Sequence, residues 1–320
     1  MGSLTEIPGI RVGHATDERA LTGCTVILCE HGAVGGVDVR GGATGTRDLG
    51  PLDPSHIAPH VHAILLSGGS AFGLDAAGGV MRYLEERGYG FRVGRACVPI
   101  VPSAIIFDLS VGDPTIRPTV ATGYAACEQA TADPVVEGSV GAGTGATVGK
   151  ARGIEYAMKG GVGSASLAFP DGVVVAALVV VNCWGDVIKG GQIIAGAREP
   201  DGGFADATRL LRTGELARAI RELNTTLGVV ATNARFTKVE LGKIAQLAHQ
   251  GLTRTIAPVH TMFDGDLVFA LSLGSQKADL HRIGFAAADA LAEAVVRAVT
   301  QAQSRGGVPC HAEITGLAPE

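Results

Sequence analysis

Apolar residues along this chain fall into two kinds of run. Through the first two-thirds they come as short stretches bounded by glycine: 24–29 (CTVILC), 33–39, 63–66 and 172–182 (GVVVAALVVVN). Runs of that length and β-branched content predict strands. Segment 70–87 (SAFGLDAAGGVMRYLEER) instead spaces Leu74, Ala77, Met81 and Leu84 three and four apart. That spacing predicts a helix, with Ser70 as its N-cap and Gly88 just past its C-terminus. A second helix is expected over 118–132.

Segment 199–223 changes character. It is charged, carries a Gly-Gly turn at 202–203, and then reads as helical (ADATRLLRTGELARAIREL). Beyond it the pattern predicts a strand at 225–232 (TTLGVVAT), a helix at 238–254 and a strand at 267–273 (LVFALSL). An Ala-rich helix follows over 279–302, with Leu, Ala and Val recurring at three- and four-residue steps, so that one face is buried. There is no internal repeat and no Pro/Ser-rich linker, so residues 1–320 are expected to form one catalytic-sized domain. Strands and helices without regular βαβ alternation predict a layered α/β fold with mixed or antiparallel sheets, stacked and covered by helices.

Composition narrows the function. The chain is 46% hydrophobic and 18% charged, which argues against disorder; its 47 glycines and 4% aromatic content imply tight turns and aliphatic packing. A net charge of −5 without any Lys/Arg run makes nucleic acid an unexpected partner. The N-terminal residues (MGSLTEIPGIRVGH) lack a basic region followed by an apolar one, and the apolar run 173–181 is about half the roughly 20 residues of a membrane helix. A cytoplasmic protein without membrane attachment is expected. The six cysteines (24, 29, 97, 127, 183 and 310) form no CxxC pair and read as small buried hydrophobes.

Three segments invite chemistry. Residues 141–150 (GAGTGATVGK) match the loose dinucleotide fingerprint, but the glycines that follow would ruin the required helix. The phosphate loop fails as well, because Ala151 stands where it needs Ser or Thr. A glycine-rich turn is the expected structure, and no cofactor is expected. His56, His60 and His62 (SHIAPHVH) suggest a metal, yet Pro59 breaks helical spacing, and solvated loop histidines are expected instead. The third segment is Asn224-Thr225-Thr226, directly before an apolar strand. Thr is β-branched and suits a strand start, so alone it signals little. Its weight comes from His260-Thr-Met-Phe-Asp264-Gly265-Asp266 before the next strand, and from Met158-Lys159-Gly160-Gly161 and Val181-Asn182-Cys183 earlier.

With these pieces in place the sequence resembles the P1 family of self-processing peptidases. That family holds Ser-dependent aminopeptidases and Thr-dependent 6-aminohexanoate (nylon) oligomer hydrolases, and the second branch is the closer likeness. The likeness runs through IPGIRVGHATD (7–17), DVRGGATGTRD (38–48), the 65–88 stretch, VPIVPSAIIFDL (98–109), KGGVGSAS (159–166), NTTLGVVATNA (224–234) and AHQGLTRTIAPVHTMFDGDLVFALSLG (248–274). It implies an αββα sandwich and a precursor that cuts itself between Asn224 and Thr225, into an α chain 1–224 and a β chain 225–320. Carried over residue by residue, Thr225 matches the nucleophile, Lys159 and Asn182 the polar residues beside it, and Asp264 and Asp266 the acids that orient it. The implied assembly is a homo-oligomer, a tetramer or larger, and the implied substrate a small linear amide or peptide.

The residue types suit that chemistry. A Thr hydroxyl needs an adjacent base, and the α-amine released by cleavage, with a pKa of roughly 7.7–8.0, would provide one. Asn182 is the expected side-chain donor to the oxyanion. The Ser-dependent branch uses a Tyr hydroxyl there, and none of Tyr83, Tyr89, Tyr124 and Tyr156 is a clear counterpart, so the second donor stays unassigned, a backbone N–H being one candidate. Two other functions share parts of the pattern: acyl transfer of the ornithine acetyltransferase type, and a non-processing small-molecule-binding protein.

Overall fold

Residues 2–215 and 223–317 are described by a computed structural model, and the sequence-expected helix over 205–223 lies partly outside them. Its described part is the short helix Ala207–Thr213. The centre of the architecture is one long strand, Thr22–Val39, which absorbs the two apolar runs at 24–29 and 33–39. Its first half pairs with Arg11–Asp17 and Val61–Ser67; its last residues, from Val34 to Val39, pair with Leu267–Gln276. A register shift between Leu28 and Ala33 separates the two halves. The strand therefore hands the chain from one sheet to the other.

In the second sheet the order runs Gly161–Ala168, Val174–Asn182, Thr225–Ala234, Leu267–Gln276 and then the end of the long strand. Thr225–Ala234 and Leu267–Gln276 pair in parallel, whereas Val174–Asn182 and Thr225–Ala234 are antiparallel. The sheet is thus mixed, as the sequence pattern allowed.

Two-residue periodicity sorts the apolar strands into layers. Val175, Ala177, Val179 and Val181 join a cluster with helices Lys238–Thr255 and Leu280–Thr300, while Ala176, Leu178 and Val180 join Ile27, Ile64, Leu66, Leu227 and Phe269 between the sheets. On the far side Cys24, Val26, Ala63 and Leu65 pack against helix Ala76–Glu86 and the Ala126–Cys127 turn of Val120–Glu128. Helices, sheet, sheet and helices make the expected αββα sandwich, with both faces of the central strands buried.

Some local expectations shift. Ser70 has φ of +54° and opens a 3₁₀ turn, Ser70–Asp75, so the α-helix proper starts at Ala76. Its buried face is Ala76, Ala77, Val80, Tyr83 and Leu84, with Met81 only partly covered. The second helix begins after Thr119, which caps it reciprocally with Thr122, because Pro118 lies before the cap rather than inside the helix. His62 is not a solvated loop residue. It is buried on its strand, its Nδ1 accepts from the Ile100 amide at 3.2 Å, and burial pushes its pKa down to about 4. Among the described residues no group of His, Cys, Asp and Glu is arranged to hold a metal, and no helix is long and apolar enough to cross a membrane.

Candidate active site

Strand pairing explains why distant residues meet at Thr225. The antiparallel register sets Asn182, the last residue of its strand, opposite Thr225, the first of its own. The parallel register brings the residues before Leu267 alongside those before Leu227, and Asn224 bridges Asp264. The 264–266 turn therefore lies against the Asn224–Thr225 peptide bond. Three strand ends and one turn build the site.

The Asn224–Thr225 junction is held at several atoms. The Asn224 amide donates to the Phe263 carbonyl at 2.9 Å, and the Gly265 amide donates to the Asn224 carbonyl at 2.7 Å. The Thr225 hydroxyl also hydrogen-bonds that carbonyl. Nucleophilic oxygen, scissile carbonyl and a backbone donor to its oxygen thus share one point. A glycine is required at the donor: a Cβ on Gly265 would lie 2.8 Å from both Thr225 Oγ1 and the Ala43 carbonyl oxygen.

The acids support this geometry from behind. Asp266 accepts from the Thr226 amide at 2.6 Å through Oδ1, and from the His260 amide and ring Nδ1 at 3.0 and 2.9 Å through Oδ2. Asp264 accepts from the Trp184 amide at 3.2 Å and from the amide and hydroxyl of Thr261. Burial, reinforced by the negative charge of Asp266, pushes the Asp264 carboxyl up to about 6. In the continuous chain both acids hold these amides, Thr261 and His260, rather than the Thr225 hydroxyl.

Of the two buried lysines, the one that meets the junction is Lys150. Its ammonium donates to Asn224 Oδ1 at 2.8 Å, to the Asn182 carbonyl at 3.0 Å and to Asn182 Oδ1 at 3.1 Å. Lys159 donates to the Thr144 carbonyl at 2.7 Å and lies in the field of the buried Asp108. Its pKa is pushed down to about 7 by burial, which the Asp108 charge partly opposes. Asn182 gives Nδ2 to the Phe107 carbonyl at 3.0 Å, while its Oδ1 takes the Thr147 amide at 3.0 Å besides Lys150. Thr225 is 2% exposed and Asn224, Lys150, Lys159, Asn182, Asp264 and Asp266 are between 0 and 2%.

Sequence reading placed Thr225, Asn224, Lys159, Asn182, Asp264 and Asp266 at one locus. Thr225, Asn224, Asn182, Asp264 and Asp266 are together, whereas the Lys159 ammonium is turned to the Thr144 carbonyl and Lys150 holds the junction instead. It passed over Lys150, which sits at the end of the glycine-rich stretch taken only as a turn. The signal was a lysine in apolar surroundings (GATVGKARG), since a buried ammonium needs polar partners. His260 was also missed as a contributor, and the candidate backbone donor could not be placed at Gly265, because such a donor has no sequence signature beyond the glycine that admits it.

Comparison with known proteins fits this geometry. An uncharacterized aminopeptidase of Mycobacterium leprae (strain TN) is 43% identical, over 97% of this chain and 93% of its own. A 6-aminohexanoate-oligomer endohydrolase of Kocuria sp. (strain KY2) is 35% identical over 83% of this chain and 74% of its own. Among solved structures, the L-aminopeptidase D-Ala-esterase/amidase of Ochrobactrum anthropi, described as a variant of the Ntn hydrolase fold, superposes with a TM-score of 0.73. It covers 96% of this chain and 88% of its own at 20% identity, a likeness of fold. The family match and these relatives, together with the layered fold, define the class, a self-processing amide hydrolase. The chain belongs to peptidase family S58, whose model matches residues 2–312.

Proposed function

We propose that the chain cuts itself between Asn224 and Thr225 and then hydrolyses small linear amides or peptides through an acyl-enzyme on Thr225. The observation that carries this reading is the shared point at the junction: the Thr225 hydroxyl and the Gly265 amide both meet the Asn224 carbonyl oxygen. In self-cleavage Thr225 Oγ adds to the Asn224 carbonyl carbon, the C–N bond breaks, and the proton given up by the hydroxyl passes to the Thr225 nitrogen, which leaves as a new α-amine. Water then adds to the ester, releasing the Asn224 carboxylate and restoring the hydroxyl.

In turnover that α-amine takes the hydroxyl proton as the oxygen attacks a substrate carbonyl, and passes it to the leaving amine. The Gly265 amide is the backbone donor to the oxyanion, with Asn182 beside it. Lys150 supplies positive charge at the junction; Lys159, with a depressed pKa, holds the Thr144 carbonyl and adds to the field. Asp264 and Asp266 fix the turn and the start of the nucleophile strand. The reaction needs no cofactor. Water rather than an added amine resolves the ester in this reading, which separates it from acyl transfer, and the working form is a homo-oligomer in the cytoplasm.

The test is a denaturing gel of purified Thr225→Ala and Lys150→Met beside wild type. Both variants are expected as single chains with no amidase activity. Processing of either at the wild-type rate would overturn the assigned roles.

A further inference from the structure

The chain carries a substrate within itself, and its contacts describe a subsite. Asn224 is wholly buried, and the groups that hold it include the Gly265 amide and the Thr225 hydroxyl on its carbonyl, the Phe263 carbonyl on its N–H, and the Lys150 ammonium on its side-chain oxygen. We infer that the space of the Asn224 side chain is the acyl-side specificity pocket of the mature enzyme, and that it takes residues bearing a carboxamide or carboxylate on the β-carbon. This rests on the self-cleavage reading above.

The argument is geometric. Self-cleavage and turnover use the same hydroxyl, and the same backbone amide faces the carbonyl oxygen. A substrate carbonyl must therefore lie where that of Asn224 lies. An L-residue whose N–H reaches the Phe263 carbonyl then has its side chain directed where the Asn224 side chain was. Cleavage and withdrawal of Asn224 remove the acceptor 2.8 Å from Lys150 in a site shielded from water. An acyl residue with an oxygen at the same position restores that charge-assisted hydrogen bond, and one without it forfeits it. Sites built around a buried polar contact discriminate strongly against analogues that lack it. Leucine is the sharp comparison, being close to asparagine in shape but with methyl groups in place of the oxygen and nitrogen.

The experiment is a set of 4-nitroanilides of Asn, Asp, Leu and Ala, each with a free and an acetylated α-amine, offered to processed wild-type enzyme. Alongside it, the self-cleavage rates of Asn224→Asp and Asn224→Leu are followed, with thermal unfolding to check that each variant folds. Asn and Asp substrates are expected to exceed Leu and Ala in kcat/KM by at least tenfold. Asn224→Asp should process within a few-fold of wild type, and Asn224→Leu at least tenfold more slowly. Equal turnover of Leu and Asn substrates, or equal processing of a folded Asn224→Leu, would overturn the pocket while leaving the hydrolase intact. A wild-type chain that neither cuts itself nor turns over any of the set would overturn the function itself, and the pocket with it.

Discussion

Gly265 illustrates how much of the site depends on atoms that carry no side-chain chemistry. Its N–H holds the Asn224 carbonyl at 2.7 Å, and the space where its Cβ would stand is taken by the Thr225 hydroxyl and the Ala43 carbonyl. Gly265→Ala forces these groups apart, displacing the nucleophile from the carbon it attacks. Loss of a single oxyanion donor typically costs about 10²–10³ in rate. Self-cleavage of Gly265→Ala, followed on a gel over time, should therefore be slower by one to three orders of magnitude; an unchanged rate would remove the amide from the mechanism. At this scale Asn224, Thr225, Asn182, Asp264 and Asp266 were legible through the family likeness of their segments, since Asn-Thr-Thr and Asp-Gly-Asp before strands signal little alone. Lys150 was not, because its partners are 32 and 74 residues away and no local pattern announces them.

Elements were read well where burial has a single period and poorly where the backbone does something unusual. The two-sided apolar strands and the long helices at 238–255 and 280–300 follow directly from sequence. The joining of two apolar runs into the single strand Thr22–Val39 does not, since Glu30-His31-Gly32 between them looks like a break. Close helix packing also hides in glycines. A Cβ on Gly251 would approach the Ala288 carbonyl oxygen of the neighbouring helix to 2.3 Å. Gly251→Ala thus sets a helix-propensity gain of about 0.8–1 kcal/mol against overpacking of about 1–3 kcal/mol. Overpacking should win, with a net loss of about 1 kcal/mol in urea unfolding; a stabilised variant would mean the helices separate freely.

For the molecule as a whole, the αββα layering was legible because each layer needs its own apolar face, whereas the closure of the site was not. Complete burial of the junction comes from sheets, turn and glycine-rich loop meeting at one end, a property of topology. Buried carboxyls leave a signature in global stability as well. Asp186 accepts from the Ala197 and Ala207 amides, at 2.9 and 2.7 Å, and so pins the loop after its strand. Burial raises its pKa from 3.8 to about 6. The folded state therefore binds this proton more tightly than the unfolded state, and the resulting stability is complete below about 3.8 and lost as pH rises through about 6. Asp186→Asn cannot titrate there. Relative to that variant, wild type should lose stability between pH 4 and about 6.5 in paired denaturation curves; a constant difference across that range would mean the carboxyl is not perturbed.

The claim on which the rest depends is that Thr225 becomes an N-terminus. The direct measurement is N-terminal sequencing, with intact mass, of purified wild-type protein. Two fragments in equal amount, one of them beginning Thr-Thr-Leu-Gly-Val-Val and ending at Glu320, are expected. A chain that remains whole from Met1 to Glu320 under every condition, or one cut at any other bond, would contradict it.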